Sequence, residues 1–276
     1  MIILSLLILG LCFGSFVNAY VWRIYKQGTS KSKRSNKKPD QYSLLHGRSM
    51  CPHCKHGLAA KDLVPVLSWL SLKGACRYCH KRIGAQYPLV ELATAVLFVI
   101  SYKAWPEPVS GGVWLLFGLW LCIVVSLMAL AVYDLKWMLL PNRMVTPLAV
   151  LAGLYVAASI LVSGNADPLV SAAWGVAIGG GLFYVLFQIS DGRWIGGGDV
   201  KLGAALGLIV GGPMNAILLL FLASFIGTLV ALPLMIAGKA SRTSKLPFGP
   251  FLIAAAFVVT LYGERIVNQY NTLVGL

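Results

Sequence analysis

Residues 111–134 read GGVWLLFGLWLCIVVSLMALAVYD. The run from Gly111 to Tyr133 carries no charge, and the next residue is an acid. About 20 apolar residues in a helix cross the roughly 30 Å hydrocarbon core of a bilayer. The stretch therefore predicts a transmembrane helix with Asp134 at its end. The rest of the chain repeats the pattern: 58% of its 276 residues are hydrophobic, 12% are charged and mean hydropathy is +0.78. That is too apolar and too poor in charge for an ordinary soluble domain. Hydropathy predicts an all-α polytopic membrane protein of about eight transmembrane helices, at 1–22, 88–105, 111–133, 145–162, 168–189, 200–210, 214–237 and 248–262. The first has no basic residue before it, and Arg23 and Lys26 follow it. This reverses the order in a cleaved signal, so it is expected to be kept as a first transmembrane helix (1–22). A cytoplasmic linker and metal-knuckle insert (23–87) and a seven-helix membrane domain (88–276) follow.

The net charge of +14 sits in the loops. Basic loops orient a membrane protein and attract anionic lipid headgroups by about 1 kcal/mol per residue. They do not point to nucleic acid here. If the insert faces the cytoplasm, 21 of the 23 Lys and Arg residues fall inside, and only Lys103 and Arg265 fall outside. The N-terminus is then outside. Residues 28–41, rich in Ser, Lys, Arg, Asn and Pro, cannot bury a core and read as a linker.

The insert contains Cys51-Pro-His-Cys54 and Cys76-Arg-Tyr-Cys79. Two Cys-x-x-Cys pairs at this separation match a four-thiolate zinc site. The metal would supply folding free energy that a small polar insert lacks. Disulfides would need an oxidising compartment, which the charge pattern argues against. His53, His56 and His80 are read as surface residues, because four thiolates already fill the shell. Trp69 suits either a small module core or a membrane interface. Asn18 suits either a hydrogen bond between helices or a direct role in a site.

Gly196-Gly197-Gly198-Asp199 places a second acid at the head of a short apolar run. The predicted topology brings Asp134 and Asp199 to the same membrane face, although they are 65 positions apart. Two carboxyl groups sharing a site do not both ionise easily. One can take a proton from water while the other polarises a scissile carbonyl, which is acid–base hydrolysis without a covalent intermediate. A carboxylate pair also suits an ion relay in a transporter, and a lone Asp at a helix end suits capping. The residues alone leave these readings open.

In order along the chain, several motifs resemble those of the type IV prepilin peptidases, also called leader peptidase/N-methyltransferases. They are Gly14-Ser15-Phe16-Val17-Asn18, Gly47-Arg48-Ser49, the two knuckles, Pro65 to Leu70, Tyr87 to Leu92, Asp134 with Leu140-Pro141-Asn142, Gly196 to Leu202 and Pro247-Phe248-Gly249-Pro250. The family often has Pro-Asp where this chain has Pro141-Asn142, so Asn142 is not expected to be catalytic.

The resemblance implies an aspartic endopeptidase of the Gly-x-Gly-Asp kind in the bacterial inner membrane, with Asp134 and Asp199 catalytic. It would cut the short basic leader from type IV prepilins or pseudopilins at the cytoplasmic face. It would then methylate the new N-terminal amine with S-adenosylmethionine. An α-amine has a pKa of about 7.7–8.0, so a useful fraction is neutral near pH 7, and cleavage has already placed it nearby. The metal ligands would be Cys51, Cys54, Cys76 and Cys79. No glycine fingerprint marks the S-adenosylmethionine site; by analogy it involves the knuckle region, where Gly84 and Glu91 are the candidates. Both the leader and the cytoplasmic face are basic. Recognition is therefore expected to rest on the pilin's apolar helix, with Asp62 or Asp191 nearby.

Overall fold

The structure, a computed structural model, describes residues 1–32, 42–43, 47, 49–239, 241 and 246–274. Most of the linker expected at 28–41 lies outside these residues, as does Arg48 of the Gly47-Arg48-Ser49 motif. The described residues form nine α-helices and no strand. Seven are long and apolar enough to cross a membrane. Contacts divide the chain into two units, 1–102 and 103–276.

The first unit holds α1 (Ile2–Ser32), a short α2 (Leu67–Ser71) and α3 (Gln86–Ala104). Helix α1 continues ten residues past the expected end at Trp22, so Gly28 to Ser32 are helical and not linker. Hydropathy marks where a helix leaves the apolar layer, and a helix can run on into water. Gly10 and Gly14 let the backbone of α3 lie against α1. A Cβ on Gly14 would sit 2.5 Å from Glu91 Cα, and one on Gly10 would collide with Ala95 Cα. Small residues four apart let helices approach this closely where water is absent and packing drives association.

The second unit contains α4 (Val113–Trp137), α5 (Asn142–Ser163), α6 (Asp167–Ser190), α7 (Gly197–Val210), α8 (Pro213–Ile236) and α9 (Gly249–Val274). Helix α7 has 14 residues, so it is about 21 Å long and too short to cross the hydrocarbon core by itself. It is held against α6 through backbone contact. Cβ atoms on Gly175 and Gly207 would run into each other's helices, and one on Gly203 would sit 2.7 Å from Gly179 O. At its end, Gly211 and Gly212 take positive φ, and Gly212 N–H donates to Ser171 O at 2.7 Å. Gly197 and Gly198 are helical, so α7 starts at Gly197, three residues before the Val200 expected from hydropathy.

Candidate functional site

In the second unit, α4 carries Asp134 one turn before its end, and the carboxylate is 4% exposed. Asp134 Oδ2 accepts a hydrogen bond from Gly249 N–H at 3.1 Å, across 115 positions of sequence. Gly249 is the first residue of α9, where backbone N–H groups have no partner within the helix. A Cβ on Gly249 would sit 2.6 Å from Asp134 Oδ2, so the absence of a side chain lets the carboxylate reach the helix end.

Asp199 lies in the first turn of α7 and is half-buried. Its helix start is seated against the segment that follows α4. A Cβ on Gly198 would meet Leu140 Cβ at 2.9 Å, and Lys201 Nζ donates to Asn142 Oδ1 at 2.9 Å. Gly196 and Gly198 have ordinary φ, so these glycines serve close approach and not left-handed backbone. The structure thus brings Asp134 and the helix that carries Asp199 to one place: a Cβ on Gly249 would meet both Asp134 Oδ2 at 2.6 Å and Leu202 Cδ2, one turn beyond Asp199, at 3.6 Å. Asn142 is engaged by Lys201. Asp191, left-handed at φ 49°, ends α6 and is exposed, 3.9 Å from Arg193.

In the first unit, the Sγ atoms of Cys51, Cys54, Cys76 and Cys79 all lie within 4.8 Å of one another, with Cys51 and Cys79 at 3.9 Å. Thiolates about 2.3 Å from a tetrahedral ion stand about 3.8 Å apart, so the cluster fits a metal. The two knuckles repeat one backbone design. Lys55 N–H donates to Cys51 O and His80 N–H to Cys76 O; Cys51 N–H donates to His56 O and Cys76 N–H to Lys81 O. Lys55 and His80 both take positive φ. Cys51 and Cys76 are each 2% exposed. Burial pushes the Cys51 thiol up to about 11. His53, His56 and His80 are exposed, and His56 stacks on Tyr78 at 3.7 Å, joining the knuckles.

Asp62 is not available to a basic leader. Its side chain is 3% exposed and takes Arg77 Nε at 2.7 Å and Tyr78 Oη at 3.1 Å. The Arg77 hydrogen bond holds its carboxyl below the usual carboxylate range. A depressed folded pKa stabilises above the unfolded value of about 3.9, and that stability is lost as pH falls through the folded pKa. Asp62→Asn is therefore expected to lower the thermal midpoint of the module at pH 7. The difference from wild type should shrink as pH falls below about 4 and disappear only once pH is below the depressed folded pKa. Paired melts at the two pH values check this, because thiol protonation affects both proteins equally.

Trp69 belongs to the module core: its indole N–H donates to Ile83 O at 3.1 Å, and its ring covers Gly74. Glu91 is 7% exposed, and its Oε2 accepts Val66 N–H at 2.7 Å. Val66 has φ 60° and ψ −50°, a costly conformation for a β-branched residue, so Glu91 holds the start of α2 in place. Gly84 is exposed, with open space where a Cβ would stand. The Pro247-Phe248-Gly249-Pro250 motif thus has a use that its residues alone did not announce. The signal was a glycine at a helix start with prolines on either side.

Residues 8–105 match the Bacterial Peptidase A24 N-terminal domain, and residues 119–232 match the Type IV leader peptidase family. The prepilin leader peptidase/N-methyltransferase of Aeromonas hydrophila is 34% identical over 272 residues, covering 95% of this chain and 91% of that protein. Those of Pseudomonas aeruginosa and Bacillus subtilis are each 32% identical. They cover 99% and 96% of this chain, and 94% and 96% of their own lengths. No solved structure matches. With both halves matched in order and the paired acids, glycines and knuckles falling inside the matched regions, the chain belongs to the type IV leader peptidase family.

Proposed function

We propose that this chain is an aspartic endopeptidase of the bacterial inner membrane that removes the basic leader from type IV prepilins or pseudopilins and methylates the exposed amine. The observation that carries the peptidase reading is that Asp134 and the helix carrying Asp199, from distant parts of the sequence, both meet the start of α9. The names of the relatives support the substrate and the second activity. The charge asymmetry of the loops supports an N-terminus outside and a site on the cytoplasmic side.

One aspartate is ionised and takes a proton from a water placed between the pair. The other is protonated and donates to the scissile carbonyl oxygen. The water oxygen bonds to the carbonyl carbon; as the resulting diol collapses, one of its hydroxyls returns a proton to the pair, the C–N bond breaks, and the leaving nitrogen takes a proton from the pair. The pair ends with the single proton it began with. Gly249 N–H keeps Asp134 aimed throughout. S-adenosylmethionine, when bound, would supply the methyl group to the freed amine in its neutral form. The four cysteines would hold zinc in a structural role, since four protein ligands close its shell.

Incubation with a synthetic prepilin and labelled S-adenosylmethionine, followed by mass spectrometry, tests both activities. Intact prepilin after incubation would end the proposal. Gly249→Ala is expected to slow cleavage by about 10²-fold, because the added Cβ displaces the Asp134 carboxylate. A variant that inserts and cleaves at the wild-type rate would remove Gly249 from the mechanism.

A further inference from the structure

In the first unit, the short helix α2 has two faces. Inward, the Trp69 indole reaches Ile83 O and covers Gly74. Outward, Leu67 and Leu70 are 65% and 57% exposed. They are three positions apart and so share a side of the helix. Leu63 and Val64, which lead into α2, are exposed as well. Lys61 and Lys73 are exposed at the two ends of this segment. Its one acid, Asp62, turns inward to Arg77 and Tyr78. An apolar surface rimmed by polar groups marks a contact with a protein or a membrane.

One hydrogen bond sets the depth of this surface. Val66 N–H, in the middle of the segment, donates to Glu91 Oε2 at 2.7 Å. Glu91 is the sixth residue of α3, a helix long and apolar enough to cross a membrane. Five residues of helix measure about 7.5 Å. At the same level Leu89 and Leu92 of α3 are exposed, and so is Phe16 of α1, two residues past the Gly14 that touches Glu91. Helices that lie in a membrane surface bury their apolar face by about 5–10 Å, which is the depth at which Glu91 holds Val66. Lysine stems can lift their charges from that depth to the headgroups, where anionic lipids attract them.

We propose that Leu63 to Leu70 form an interfacial anchor. Val64, Leu67 and Leu70 enter the acyl-chain boundary of an anionic leaflet, with Lys61 and Lys73 at the lipid phosphates. Helix α2 then fastens the metal module to the bilayer by one side and to its own core by the other. The anchor does not depend on which reaction the second unit performs.

Photocrosslinking of the full-length protein in cell membranes tests it. With Leu67→p-benzoylphenylalanine, irradiation should leave a phospholipid adduct on the peptide carrying position 67, read by mass spectrometry. A crosslink to another protein, to a second copy or to another part of this chain in place of lipid overturns the anchor, as does the absence of any adduct. Hydrogen exchange on the purified, metal-loaded protein in nanodiscs of phosphatidylethanolamine and phosphatidylglycerol reads the same claim without a photoreactive group. Leu67→Glu combined with Leu70→Glu should speed exchange of the 63–72 amides by at least about tenfold, because a carboxylate resists entry into hydrocarbon. Both leucines lie outside the module core, so metal content should stay at the wild-type level. On a face that met only water the two substitutions would leave exchange unchanged, and that result also overturns the anchor.

Discussion

Asp134→Asn and Asp199→Asn will each abolish leader removal, lowering the rate by about 10²–10⁴-fold or more. Asparagine has nearly the same shape as aspartate, and its amide oxygen can still accept the Gly249 N–H bond that ties α4 to α9. The variants should therefore insert and pack as the wild type does. What they lose is the ability to pass a proton to and from water. Because the two acids act as a unit, the double variant should be scarcely slower than either single one; effects of residues that work together do not add. Purified variants assayed on a synthetic prepilin give the rates. Full cleavage by either single variant sinks the dyad.

Cys51→Ser combined with Cys76→Ser will release the metal and unfold the module. The two thiols removed are the buried ones, one from each knuckle. The module has few other sources of order: its regular structure is one 3-10 turn at Ala60–Asp62 and the five-residue α2. Structural zinc contributes about 10–16 kcal/mol of binding free energy in small domains of this kind, far more than the Asp62–Arg77 pair and the Trp69 contact can replace. Elemental analysis should find one equivalent of metal in the wild type and none in the variant. Limited proteolysis should then cut between 49 and 85 only in the variant. A wild type purified without chelator and free of metal would end this reading.

The helices were legible because uncharged runs are a strong and local signal. All eight apolar runs in the sequence are helices, and the 200–210 run was already short. The ends were harder. Helix α1 reaches Ser32 and α9 reaches Val274, past the last apolar turn in each case. The knuckles were readable from spacing alone, since a metal fixes its ligands at close quarters. The pairing of Asp134 with Gly249 was not, because no local rule links positions 115 apart. The bond of Asn18 to a neighbouring helix was legible, and it is made to Tyr87 O of α3 at 3.1 Å. The glycines of 196–198 could be counted but not interpreted: their use is contact with Leu140 and Asp199, not unusual torsion.

The seam between α6 and α7 sets main chain against main chain at Gly175 and Gly207 and at Gly179 and Gly203, with the Phe183 ring packed beside it. A joint of that kind either fits or fails; it offers no gradual yielding. Asp199, carried one turn from the head of the clamped helix, inherits that stiffness. An inhibitor must therefore meet this carboxylate where it already stands, and a rigid molecule shaped to that fixed point should outperform a flexible one.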